Sequence, residues 1–213
     1  MKIALITNSR IPSLTANSIQ AMKVAQALMQ LGHDARMFAP AETEPVSQQL
    51  LITHYGVRLI PPLELLPSIS GLKRLDFIVH AQRAAQKFGA ELIYTWLPQS
   101  AALALWMKYP VVLEMHADVT GLMGAWWLRQ FWNAKGKKTM TVTTSALRNV
   151  LERSTKLKLE NEAVIVAPNG VELERYASLP SPSEARRQLN LPDGLTVGFT
   201  GHIYPGRGAE LLF

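Results

Sequence analysis

The sequence predicts an α/β chain, a mostly parallel β-sheet with helices on both faces. Short apolar runs that suit strands covered on both sides recur along the chain. They alternate with segments of 10 to 20 residues in which apolar side chains repeat at helical spacing. Glycine closes several of those helical segments, and the joints are short. This alternation is the signature of βαβ units, which build parallel sheets.

The first run, KIALIT at 2–7, is bounded by Asn8 and Ser9 and reads as a buried strand. After the loop SRIPSLTA, Asn17 stands where a helix cap belongs, with Gln20 three residues on in the capping-box position. Ala21, Val24, Ala25, Leu28 and Leu31 follow at helical spacing, and Gly32 supplies the stop. DARMFAP is the second strand and VRLIPP (57–62) the third, with a helix expected from Leu72 to Phe88. ELIYTWL (91–97), VVLEMH (111–116), TMTVTT (139–144) and AVIVAPNG (163–170) complete seven strands.

Ligands of parallel sheets bind beyond the carboxyl ends of the strands. Thr7, Asn8, His116, Asp118, Thr144, Ser145 and Asn169 are the polar residues expected there, facing one cleft. His116 emerges from an apolar strand into a loop, a good place to hydrogen-bond a ligand hydroxyl or move a proton. Glu114 alternates with His116 and shares its strand face, placed either to orient the imidazole or to pair with a basic neighbour. Asp118 lies two residues beyond, but no third ligand has recognisable spacing, so no metal is expected.

Beyond Asn169 the character changes. YASLPSPSEARRQLNLPDG, rich in proline and small polar residues around a short helical piece, reads as a connection between domains. LTVGFTG (195–201) then starts a fresh strand and PGRGAELLF a fresh helix. The stretch from Gly201 to Gly208 has the length of a phosphate-binding P-loop, with Arg207 in the lysine position. Gly208 replaces the hydroxyl residue that would ligate magnesium, which argues against a nucleoside triphosphatase. A glycine-rich turn before a helix still offers backbone N–H groups to an anion, and a guanidinium can grip phosphate with two donors.

Composition narrows the classes further. The chain has 213 residues and no cysteine, which excludes a thiol nucleophile, a disulfide framework and a thiolate zinc site, and fits a reducing compartment. The N-terminus lacks the features of a signal peptide, and no apolar run is long enough to span a membrane. Residues 129–158 carry eight basic side chains against one acid, Glu152, more than the net charge of +6 for the whole chain. Trp126, Trp127, Phe131 and Trp132 lie just before and within the start of that segment. Aromatic rings beside lysines suit an anionic membrane surface, contacted through residues 126–138. The alternative is that Trp127 and Phe131, four apart, pack on the sheet while the lysines form a solvated rim. No zinc finger or RNP-like aromatic pair is present, so nucleic acid is not an expected partner.

Four stretches resemble the retaining GT-B glycosyltransferases of family 4: MKIALITNSRIPSLTANSIQAMKVAQALMQLGHDARMF, VVLEMHAD, VAPNGVELERY and TVGFTGHIYPGRGAELL. They occur in the family's order across nearly the whole chain. The resemblance implies a Rossmann-like acceptor-side domain at 1–176, an interdomain connection at 177–194, and the start of a nucleotide-sugar-binding domain at 195–213. It implies transfer of a hexosyl group from a nucleotide-diphosphate sugar to an acceptor hydroxyl with retention, without a cofactor. His116 would lie against the donor sugar, and Gly201, His202, Arg207 and Gly208 beside the diphosphate. Asn8, Thr15, Asn17, Asp118 and Asn169 are the acceptor or loop candidates.

The sequence departs from the family pattern in two places. His202 stands where many members have arginine, and residues around Ser13, Leu14 and Thr15 replace a frequent pair of glycines. The family's E-x7-E pair falls beyond Phe213, so the chain by itself is expected to have little or no activity. The expected location is cytoplasmic, peripheral on the inner membrane face if the aromatic segment binds lipid. A strand left uncovered near 195–200 would favour a homodimer through that end. The rival reading is a non-catalytic module that docks on anionic lipid or on a partner enzyme.

Overall fold

The computed structural model describes residues 1–41, 47–69, 75–159, 162–171, 173–199, 203 and 211. The chain divides into two compact units, Met1–Asn169 and Gly170–Phe213.

Among the described residues the first unit holds seven strands: β1 (Lys2–Ile6), β2 (Asp34–Pro40), β3 (Leu63–Leu66), β4 (Leu92–Thr95), β5 (Val111–Met115), β6 (Lys138–Val142) and β7 (Val164–Val166). They form one sheet in the order β3-β2-β1-β4-β5-β6-β7, with every pairing parallel. The helices are α1 (Ala16–Gln30), α2 (Gln48–Tyr55), α3 (Leu75–Phe88), α4 (Pro98–Trp106), α5 (Gly121–Asn133) and α6 (Ser145–Thr155). A mostly parallel sheet clad with helices on both faces is therefore the observed class, as the alternating pattern predicts.

Alternation along the strands divides the core in two. Ala4, Ile6, Phe38, Ile93, Leu113, Met140 and Val142 pack with apolar side chains of α3, α4, α5 and α6. Leu5, Ala35, Met37 and Ala39 point the other way, against Ala21, Met22 and Ala25 of α1 and Leu51 and Tyr55 of α2. Burying one large aliphatic or aromatic side chain contributes about 1.5–3 kcal/mol, so both faces matter to stability.

Several local expectations are corrected. The third strand is not VRLIPP but the following segment, Leu63–Leu66, which pairs with β2 from Met37 to Pro40. The proline-rich stretch before it cannot donate a full ladder of hydrogen bonds. Helix α2 is capped by Ser47, whose Oγ accepts from Leu50 N at 3.3 Å, and closed by Gly56 in the left-handed region at φ 61°. Thr15, not Asn17, occupies the cap of α1, and it caps without a side-chain hydrogen bond. The expected helix from Leu72 is described from Leu75, residues 70–74 lying outside the described set.

In the second unit, a 3₁₀ turn (Leu173–Arg175) precedes α7 (Pro182–Gln188). A capping box closes the start of α7: Ser181 Oγ accepts from Glu184 N, and the Glu184 carboxylate accepts from Ser181 N. Residues 195–199 form no strand, contrary to the reading of LTVGFTG. The expected helix beyond Pro205 lies outside the described residues.

Candidate functional site

The chain builds β1, β2 and β3 outward in one direction, then returns to place β4 on the other side of β1. The loops after β1 and β4 consequently part, and a crevice opens at their carboxyl ends. Thr95 Oγ1 donates to the carbonyl of Ile6 at 2.8 Å and ties the ends of β1 and β4 together. A cavity of about 380 Å³ occupies this crevice. Thr7, Asn8 and Ser9 line it from the loop after β1, Asn17 from the first turn of α1, Trp96 from the loop after β4, and Pro98 and Gln99 from the start of α4. Glu114 and residues 115–120 line it from β5 and its loop, and Gly124 from the start of α5.

Glu114 and His116 point the same way because they alternate along one extended segment. His116 Nε2 is hydrogen-bonded to Glu114 Oε1, which settles the open alternative for Glu114 in favour of the imidazole. Tyr94, on the same sheet face of β4, donates its hydroxyl to Glu114 Oε2. Gln20 reaches across from α1 and donates to Glu114 Oε1 at 3.4 Å, instead of completing a capping box. Burial pushes the Glu114 carboxyl up, but the hydrogen bonds from His116 and Tyr94 outweigh it and hold the group below its ordinary range. The Trp96 indole adds to that pull, although its Nε1 has no hydrogen-bond partner of its own. Burial, followed by the charge and hydrogen bond of Glu114, pushes the Tyr94 hydroxyl well above its ordinary value.

Of the expected site residues, Asn8, Asn17, His116 and Asp118 come together in this cavity. Asp118 is partly committed, because its Oδ1 accepts from Ser154 Oγ at 2.6 Å and from Val119 N at 2.8 Å. Thr15 is not in the lining; its Oγ1 accepts from Ser13 Oγ at 2.9 Å. Asn169 is exposed and also outside the lining, as are Thr144 and Ser145. Thr144 instead caps α6, accepting from Leu147 N at 3.0 Å. Gly201, His202, Arg207 and Gly208 lie outside the described residues. Sequence reasoning missed Trp96 and Gln99, although Trp96 follows β4 as His116 follows β5. Among the described residues no group of three acidic, histidine or cysteine side chains could hold a metal ion.

The basic segment is more structural than its composition suggests. Arg129 Nε donates to Thr155 O at 2.8 Å, and Lys138 Nζ to Ala134 O at 2.6 Å. Arg148 donates to Leu159 O, and Arg153 Nε to Asn149 O at 3.2 Å. These cations satisfy carbonyls around α5, β6 and α6. Phe131 is fully buried and Trp127 packs on the core, whereas Leu122, Met123 and Trp126 on the same helix are exposed.

A family model, Glycosyltransferase Family 4, matches residues 18–175. A GDP-mannose-dependent alpha-mannosyltransferase of Mycobacterium tuberculosis is 23% identical over 230 residues. That match covers all of this chain and 58% of the relative, so the chain spans little more than half of that protein's length. Among solved structures, sucrose-phosphate synthase from Thermosynechococcus elongatus aligns with a TM-score of 0.58 at 19% identity, over 90% of this chain and 53% of that one. An Anabaena protein solved in complex with UDP and glucose aligns at 0.56 and 18% identity, over 89% of this chain and 50% of that one. UDP-GlcNAc 2-epimerase from Methanocaldococcus jannaschii reaches 0.56 at 13%, over 79% of this chain and 46% of that one. At such identities these structures speak for the fold, while the family match covers most of the chain. The chain belongs to glycosyltransferase family 4, and its seven-stranded unit has the fold of a GT-B N-terminal domain.

Proposed function

We propose that the protein of which these residues form the acceptor-side domain transfers a hexosyl group from a nucleotide-diphosphate sugar to an acceptor hydroxyl, with retention at the anomeric carbon. The observation that carries this reading is His116, held by Glu114 in the lining of the switch-point cavity. Family membership supplies the reaction class. In the proposed step the acceptor oxygen bonds to the anomeric carbon as the bond from that carbon to the diphosphate oxygen breaks. Both events occur on one face of the sugar, and the proton of the acceptor hydroxyl passes to the departing phosphate oxygen. His116 contacts the donor sugar, and Asn8 and Asn17 receive the acceptor. Residues 177–194 connect to a donor-binding domain that begins at 195, where Gly201, His202, Arg207 and Gly208 lie beside the diphosphate and the Arg207 guanidinium offsets its growing charge. Losing one such preorganised donor typically costs about 3 kcal/mol of transition-state stabilisation.

The test is turnover of the complete protein with a panel of nucleotide sugars, with the anomeric configuration of the product read by NMR. The expected result is a retained anomer, a His116→Ala variant at least about 100-fold slower, and little or no turnover by the 213-residue chain alone. An inverted product, or an unimpaired His116→Ala enzyme, overturns the reading.

A second reading, docking of this unit on anionic lipid from the cytoplasmic side, is favoured by one observation. Leu122 is 90% exposed, Met123 55% and Trp126 41%, so α5 presents an apolar strip. Lys135 and Lys137 are exposed beyond its end, whereas Lys138 is turned inward. Co-sedimentation with phosphatidylglycerol vesicles should fall when Lys135 and Lys137 are changed to Glu and Leu122 and Met123 to Ser. Unchanged co-sedimentation sinks that reading.

A further inference from the structure

Among the described residues Glu114 is the one buried charged side chain, 7% exposed, and three side chains from separate segments converge on it. Gln20 comes from α1, Tyr94 from β4, and His116 from the loop after β5. An ionised carboxylate can only accept hydrogen bonds. The hydrogen bond between Glu114 Oε1 and His116 Nε2 therefore needs its proton on the imidazole nitrogen. A neutral imidazole carries a single proton, so Nδ1 is left bare and acts as an acceptor. Nδ1 makes no hydrogen bond among the described residues, and His116 lines the cavity.

We infer that Glu114 is the positioning residue for His116, fixing the ring as its Nε2–H tautomer and leaving Nδ1 to accept a hydrogen bond from a ligand hydroxyl. The four-group cluster has a physical reason to be this elaborate. An imidazole alone exchanges its proton between two nitrogens, and either tautomer can meet a ligand. Tyr94 holds Oε2 and Gln20 shares Oε1 with the ring, so turning the carboxylate away from His116 would break these bonds as well. Specificity follows: a site built to accept from a hydroxyl discriminates strongly against the analogue lacking it, because the acceptor is then left unpaired. That the hydroxyl belongs to a sugar rests on the transferase reading, whereas the state of the ring does not.

The experiment is ¹⁵N NMR of the ligand-free 213-residue chain with labelled histidine at mildly alkaline pH. Its five histidines are resolved by comparison with His116→Gln. The expected His116 spectrum has a protonated, pyrrole-like Nε2 and a bare, pyridine-like Nδ1. A protonated Nδ1, on a singly or doubly protonated ring, overturns the inference. In Glu114→Ala the tautomer preference should disappear while the amide spectrum stays dispersed, and a folded variant with wild-type ring shifts also overturns it. Should Glu114→Ala fail to fold, Glu114→Gln replaces it, with a mixture of both tautomers expected because an amide can accept or donate. No ligand or turnover enters the measurement, so its failure and that of the transferase reading are separable.

Discussion

Asp118 Oδ1 and Ser154 Oγ are 2.6 Å apart, and this hydrogen bond fastens the loop after β5 to the last turn of α6. One oxygen of Asp118 is thereby committed to holding the loop on which His116 sits. The pair should show a coupling of about 0.5–1.5 kcal/mol in a cycle of Asp118→Ala, Ser154→Ala and the double variant. Urea unfolding measures it, and strictly additive effects would mean that the bond contributes nothing to stability.

Acid should weaken the fold through Glu114. Its folded carboxyl is depressed below the ordinary 4.5, so the unfolded chain binds the proton more readily. The stabilisation is complete above 4.5 and is lost as pH falls from there through the lower folded value. Urea midpoints taken down through that window should fall less steeply for Glu114→Gln than for the parent, and equal slopes would refute the assignment.

The aromatic residues of α5 separate into two energetic kinds. Phe131 is fully buried between the sheet and its neighbouring helices, so Phe131→Ala should cost about 3–5 kcal/mol, transfer and cavity terms together. Trp126 is 41% exposed and stands edge-on to Trp127 with ring centroids 4.6 Å apart. Its replacement by alanine should cost about 1 kcal/mol, chiefly the aromatic pair. Comparable losses in chemical denaturation would contradict this division.

Helix α5 also shows what could be read from the sequence. The spacing of Trp127 and Phe131 marked one face of a helix, and that face is inward. Spacing could not show that Arg129, Lys138 and Arg148 spend their charge on backbone carbonyls, because those partners lie at helix ends and in a loop. The parallel sheet was legible because covered strands are nearly continuous apolar runs. The third strand was misplaced because VRLIPP holds the β-branched Val57 and Ile60, whereas LELL has no β-branched residue and its leucines suit a helix equally well. At the site, alternation alone placed Glu114 beside His116. Tyr94 and Gln20 needed the fold, since they meet Glu114 from 20 and 94 residues away in sequence.

Tyr94 offers a test from the alkaline side. Its hydroxyl is held protonated above the ordinary 10, first by burial and then by the charge and hydrogen bond of Glu114. The stabilisation is fully present below 10 and is lost as pH rises towards the higher folded value, because the unfolded chain gives up the proton first. Spectrophotometric titration should therefore leave Tyr94 un-ionised, out of five tyrosines, until the chain unfolds. In Tyr94→Phe that late step should be missing. The variant should also be destabilised near neutral pH by about 1–3 kcal/mol, since the buried Glu114 carboxylate loses a donor that water cannot readily replace. If the late ionisation survives in Tyr94→Phe, it belongs to another tyrosine, and the hydrogen bond from Tyr94 to Glu114 is not what holds the proton.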